Sequence, residues 1–399
     1  MRVALVYNQK KEDAAQRNAD DNGEPPSRNG NHSRVEKCPP YSSSSIAPQS
    51  FLKSTSVSTL EAPASAKNDL YAEWDSEETI LAVKSALAEL HDVTMIEADE
   101  DVYGKLIEER PQIVFNIAEG MYGISREAQV PAMLEFLQIP YTGSDPLTLA
   151  TCLDKSRAKE VLAYYGVPTP KFWVVSGLKS LAGISVPLPA MVKPLHEGSS
   201  KGIFNSSLVT NRSELEREVF RITTEYGEPA IVEEFLDGRE FTVAMLGNGS
   251  QARVLPIVEI NFDSLPTGVN RIYSYEAKWI WDRADNPLDI FQCPAHLSPE
   301  LQKSIESVCL KAYNLLRCRD WCRIDVRLDR QNVPNIIELN PLPGILPNPK
   351  DNSCYPKAAR AAGLSYNRLM QTVLALAAGR YRIGQRQPSF QPQYSGATP

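Results

Sequence analysis

Arg323-Ile324-Asp325 and Glu338-Leu339-Asn340 are two short triplets that each set polar residues two apart around an apolar one. On an extended strand such residues project from one face. Asp325, Glu338 and Asn340 make an all-oxygen donor set that suits Mg²⁺ (or Mn²⁺) beside phosphate. Arg323 would clamp an anionic transition state. Alternation alone would also give a solvated sheet face. The neighbouring Ile324, Val326, Ile337 and Leu339 are apolar, which predicts a packed sheet with a polar upper face. Pro341-Leu342-Pro343-Gly344 follows as a rigid turn. Its Gly344 N–H could serve an oxyanion, or the turn could have no further purpose.

Two upstream stretches carry weaker signals. Lys193 ends a strand and leads into His196-Glu197-Gly198-Ser199-Ser200-Lys201-Gly202, a loop whose N–H groups and hydroxyls could meet phosphate. A plain surface turn fits as well, because no lysine–hydroxyl pair closes this loop onto a helix. Ile231-Val232-Glu233-Glu234-Phe235-Leu236-Asp237-Gly238-Arg239-Glu240 leaves a strand, turns at Gly238 and re-enters a strand. Its edge could meet an adenine and a rim carboxylate a ribose. An ordinary hairpin with solvated acids remains open.

These residues need elements to position them. Val3–Tyr7 reads as a buried parallel strand. Residues 9–69 are rich in Asn, Ser and Pro without an apolar period, and are expected to be a disordered insertion. Order resumes at Trp74. Ser76 opens a helix, and strands at 93–96 and 112–117 alternate with helices at 102–109 and 128–137. This βαβ pattern predicts a parallel sheet covered by helices. A helix is expected over 153–165, then strands at 172–175, 190–193, 230–234 and 241–246. A helix capped by Ser213 interrupts them. Beyond Val254 come a helix over 299–316, strands at 322–328 and 335–339, and a helix over 366–377. The expected domains are 1–8 with 70–147, then 148–247, then 248–383, with a loose tail over 384–399.

Composition bounds the function. With 42% hydrophobic and 23% charged residues, the 399-residue chain has enough apolar material for a sizeable core. The net charge of −7 gives no support to nucleic-acid binding. No apolar run approaches a membrane span. Seven cysteines without metal-type or redox-type spacing point to a reduced, cytoplasmic protein.

Taken in order, these stretches resemble the ATP-grasp enzymes, most closely the D-alanine–D-alanine ligase type. The resemblance spans about Gln112 to Ala378 and includes Ile139-Pro140-Tyr141-Thr142-Gly143-Ser144 and Leu153-Asp154-Lys155-Ser156. It implies an α/β protein of three units, a parallel αβα unit followed by two α+β units that sandwich ATP. It implies a ligase that joins a carboxylate to an amine through an acyl phosphate. ATP would be co-substrate and two Mg²⁺ (or Mn²⁺) ions would assist. Lys155 and Lys193 match lysines on the phosphates, Ser199 the loop closing over them, and Lys278 a further phosphate-side lysine. Glu233, Phe235 and Leu236 match adenine contacts and Glu240 the ribose contact. Asp325, Glu338 and Asn340 match metal ligands, and Arg323 and Gly344 the groups that stabilise the intermediate. Partners would be small amino-acid or carboxylate substrates, with a homodimer as the candidate assembly.

Three departures concern the substrates. No counterpart is found for the glutamate that holds the first substrate's amino group. Trp279 stands where a tyrosine is usual. The serine that grips the second carboxylate falls, by count from Gly344, at Pro349. An altered pocket is therefore expected. A true D-alanine–D-alanine ligase and a non-catalytic nucleotide-binding regulator are the alternatives.

Overall fold

The computed structural model describes residues 1–10, 71–282 and 288–384. The expected insertion and tail lie outside them, apart from their first residues. Among the described residues the strands form three sheets.

The first sheet is parallel, in the order β2 (Asp92–Glu97), β1 (Arg2–Tyr7), β3 (Ile113–Asn116). All four residues of β3 and five of six in β1 are buried, as a strand covered on both faces requires. Helices α1 (Glu77–Ala88), α2 (Val102–Glu109) and α3 (Gln129–Leu137) connect or cover these strands. Ser76 caps α1 by accepting from the Thr79 N–H at 3.3 Å, as its type predicts.

α4 (Pro146–Leu153) was not expected, while α5 (Lys155–Tyr164) is the helix expected over 153–165. Asp154 divides them, holding extended backbone and accepting from the N–H groups of Ser156 and Arg157. An Asp competes with the helical backbone for those donors, so it ends one helix and caps the next.

The second sheet is antiparallel, in the order β4 (Phe172–Val175), β7 (Ala230–Glu234), β5 (Ala190–Pro194), β6 (Leu208–Val209). α6 (Leu178–Leu181) and α7 (Arg212–Glu225) accompany it. The cap of α7 is Asn211, which accepts from Glu214 N–H, and not Ser213.

The third sheet runs β11 (Phe291–Gln292), β10 (Val258–Ile260), β8 (Glu240–Leu246), β12 (Trp321–Leu328), β13 (Pro334–Asn340), with β9 (Arg253–Val254) beside β8. β8 was read with the central sheet. It pairs with β12 from Glu240↔Arg327 to Leu246↔Trp321, so the strand before the expected boundary at 247 sits in the C-terminal sheet. α8 (Pro299–Leu315), α9 (Cys354–Ala361) and α10 (Tyr366–Arg380) complete the chain. α8 buries Ile305, Cys309, Ala312 and Tyr313 against Ile324, Val326 and Leu339. Each such aliphatic side chain contributes about 1.5–3 kcal/mol. That packing fixes one face of β12 and β13 and leaves the other for chemistry.

Candidate active site

The site is built on β12 and β13. Their register sets Arg323 opposite Asn340 and Asp325 opposite Glu338. After Asp325 the register slips, so Val326 faces Ile336 and Ile337 is left over. This bulge turns Ile337 out of the packed face, where its type predicted it, and onto a cavity wall. Arg323 forks onto Asp325, Nε to Oδ1 at 3.1 Å and one Nη to Oδ2 at 3.0 Å, and lies 3.6 Å from Glu338. The Asn340 amide is 3.5 Å from both carboxylates.

The two acids are shifted in opposite directions. Burial pushes Asp325 up, and Arg323 only partly offsets it. Burial also opposes ionisation of Glu338, but Lys155, Lys193 and Arg323 outweigh it and hold Glu338 at about 2. Lys278 sits in a short π-helical turn, Glu276–Trp281. Burial, and then the charge of Arg323, bring it down to about 8. The side chain of Trp279 lies outside the described residues.

Lys155 opens α5 and its ammonium donates to the Glu197 carbonyl. Lys193 lies on β5, its Nζ 2.6 Å from a Glu233 oxygen; Lys159 Nζ is 3.0 Å from the other. Glu233 is thus buried between two lysines, and also lines the cavity to which the sequence assigned it. Phe235 and Leu236 share that cavity with Met191, Ile260, Ile272 and Tyr273. Glu240 receives an Arg327 guanidinium bond at 2.8 Å, and Arg327 stacks 4.6 Å over the Phe235 ring. Burial raises Glu240 despite that partner. Lys159 and Arg327 were not read from the sequence, because each sits inside an element whose period explains it without a site.

A second, more polar cavity adjoins the first. Glu197, Gly198, Ser199, Lys278, Arg323 and Glu338 line both. Lys155, Asn340 and Gly344 line only the second. The Gly344 N–H has no acceptor among the described residues. Ser199 and Ser200 hold φ of 51° and 60°, a left-handed pair that L-residues adopt at a cost.

Two further residues, on or near this cavity, were not read from the sequence. Glu73 stands on the polar cavity, accepting from Gly198 N–H at 2.7 Å and from Arg126 at 2.8 Å. It follows the undescribed residues, so counting forward from β1 could not find it; counting back from the Ser76 cap could have. Ser353, at the head of α9, puts its hydroxyl 3.3 Å from the Gly344 carbonyl. Asn352 donates to Asp282 and to the Leu288 carbonyl. His196 bonds Glu228 at 2.7 Å and lies 3.6 Å from Asp154. Burial opposes its charge, but these acids raise it to about 9.

Among the described residues no three His, Cys, Asp or Glu side chains form a metal cluster. The donor set on β12 and β13 is two carboxylates and an amide. Whether the Asn340 oxygen or nitrogen faces the acids is an assignment, and a half-turn presents the oxygen. The residues therefore fit a divalent ion that keeps other ligands from water or phosphate.

Two antiparallel sheets closing on a nucleotide-sized cavity, with acids and an arginine on one strand pair, define the ATP-grasp class. The model for the D-alanine–D-alanine ligase C-terminus matches residues 165–375. The D-alanine–D-alanine ligase of Bordetella parapertussis is 37% identical over 276 residues, 69% of this chain and 81% of that protein. The uncharacterized protein y4sG of Sinorhizobium fredii is 35% identical over 318 residues, 77% of this chain and 90% of that one. The D-alanine–D-alanine ligase of Bacillus anthracis, solved with ATP, superposes with a TM-score of 0.61 at 18% identity, covering 96% of this chain and 99% of that chain. The last likeness concerns the fold alone. The chain belongs to the D-alanine–D-alanine ligase family, and is a ligase that forms C–N bonds.

Proposed function

We propose that the chain couples ATP cleavage to amide formation between two amino acids, through an acyl phosphate. The observation that carries this reading is the shared wall of the two cavities. Adenine sits against the Phe235–Leu236 edge and Glu240 takes the ribose hydroxyls. Lys155, Lys193 and the Ser199 loop hold the phosphates, whose end reaches Arg323 and Lys278. There a substrate carboxylate oxygen attacks the γ-phosphorus and ADP leaves. The substrate's amine end is held by Glu73. The amine of the second substrate then attacks the acyl carbon, the Gly344 N–H and Arg323 stabilise the oxyanion, and inorganic phosphate departs. Asp325, Glu338 and Asn340 would hold Mg²⁺ or Mn²⁺, which neutralises phosphate oxygens when bound. Buried Lys278, brought down to about 8, can shed a proton near neutrality more readily than an exposed lysine.

Ser353 beside Gly344 favours a second reading, a true D-alanine–D-alanine ligase, since a serine hydroxyl can grip a second carboxylate. ATP supply and the six unpaired cysteines among the described residues agree with a cytoplasmic site of action. An amino-acid matrix with ATP and Mg²⁺ tests the proposal. Paired formation of ADP, phosphate and a dipeptide supports it. ATP hydrolysis without any amide product across the matrix would contradict it. Dipeptide from D-alanine alone, at the rate of a cell-wall ligase, decides for the second reading.

A further inference from the structure

The polar cavity carries more negative charge than the proposed reaction uses. Asp75, Glu119 and Glu127 all line it. They come from three places in the N-terminal unit: the approach to α1, the end of β3, and the 3₁₀ turn Arg126–Ala128. The positive charges nearby have other partners. Arg126 is taken by Glu73 at 2.8 Å and Glu197 at 3.0 Å. Lys201 is also on Glu197, and Lys155 donates to the Glu197 carbonyl. Arg323 is forked onto Asp325.

No side-chain hydrogen bond or ion pair reaches Asp75, Glu119 or Glu127 from any described residue. All three are half-buried on the cavity wall, and carboxylates crowded in a cavity without partners favour a counter-charge that arrives with a ligand. A lone metal ion is a poor candidate, because no three acids converge among the described residues. The charges are spread along a wall, which suits an elongated cation.

We propose that the substrate occupying this cavity is a cationic amino acid, whose side chain ends in a second ammonium or guanidinium held by Asp75, Glu119 and Glu127. This rests on the ligase reading and names its substrate class. A neutral amino acid brings one ammonium, for which Glu73 suffices. It leaves the other three acids uncompensated. A second cationic group supplies charge-assisted hydrogen bonds to them and removes their mutual repulsion. Burial raises all three acids, with neighbouring acids adding to the effect on Glu119 and Glu127, as expected of groups waiting for a cation. The attacking carboxylate remains free to approach Arg323 and Lys278 at the shared wall.

Substrate pairs of matched length test this: lysine against norleucine and ornithine against norvaline, each enantiomer, with the full chain, ATP and Mg²⁺. Phosphate release and mass spectrometry report turnover. The diamino member of a pair should show roughly 10–100-fold higher kcat/KM, the worth of one charge-assisted hydrogen bond. It should also raise the melting temperature more in the presence of ADP. In the Glu119→Gln/Glu127→Gln variant the ratio should fall toward unity, and Asp75→Asn alone should lower it if that double variant does not fold. Turnover that favours the neutral members overturns the inference and leaves the ligase standing. A ratio unchanged in the variants removes these acids from the assignment. ATP turnover that no amino acid stimulates overturns the ligase reading itself, and the inference with it.

Discussion

Asp325 and Glu338 face each other on paired strands, yet burial raises one while three cations hold the other at about 2. Under the proposed function these two acids anchor the divalent ion. Glu338→Ala and Asp325→Ala should each lower ATP turnover beyond the roughly 10–100-fold typical of losing an outer-shell partner, with circular dichroism unchanged. Near-normal turnover in Glu338→Ala would remove the metal assignment. Asp75 gives a prediction in stability. Burial takes it from 3.8 to about 7. Between those values the folded state holds a proton that the unfolded chain lacks, so stability falls as pH rises through this window. Asp75→Asn removes the titrating group. It should melt higher than the parent chain at pH 8 and show no such gain at pH 4. An equal difference at both pH values would contradict the shift. At this scale the acids, the arginine and the amide on β12 and β13 were legible as a group because alternation marks one face. Glu73 was not, because no recognised motif on its own side of residues 11–70 marks it.

At the scale of elements, the β7–β8 turn decides how the nucleotide cavity is shaped. Gly238 has no room for a side chain. A Cβ there would meet the Leu328 carbonyl, backbone that cannot step aside. The Leu328 N–H is already bonded to the Arg239 carbonyl at 2.9 Å. Gly238→Ala should therefore cost about 1–3 kcal/mol, as overpacking does. Because Phe235, Leu236 and Glu240 flank the turn, it should also raise KM for ATP more than it lowers kcat. Unchanged melting and unchanged KM together would contradict the close approach. Most elements were readable from period and caps: β1, α1, α2 and β4 appear where alternation and the Ser76 cap place them. α4 was missed because its apolar run leads straight into Asp154, which ends it and caps α5 by competing for backbone donors, and Asn211 outranked Ser213 as a cap by lying nearer the true helix start. The bulge at Ile337 leaves no mark in composition, since only the pairing partner reveals it.

At the scale of the molecule, the three sheets meet where the chemistry is expected. Arg126, just before α3, bonds both Glu73 before α1 and Glu197 in the loop after β5. Arg380 on α10 reaches Asp320 at 2.6 Å, beside the start of β12. The described chain leaves at Lys10 and returns close by, with Lys10 N–H donating to the Asp75 carbonyl at 2.8 Å. The α/β class and the family were legible because several weak signals occur in one order. The choice of substrates was not, since it depends on which acids share a cavity, and that is a property of the fold. The central claim is that a carboxylate attacks the γ-phosphate before an amine displaces it. The direct measurement is isotope transfer. The amino acid used in the first position is labelled with ¹⁸O in its carboxylate, and the released phosphate is analysed by mass spectrometry. The account predicts one ¹⁸O in phosphate for each amide formed, with ADP as the other product. Unlabelled phosphate, or label found in AMP, would contradict it.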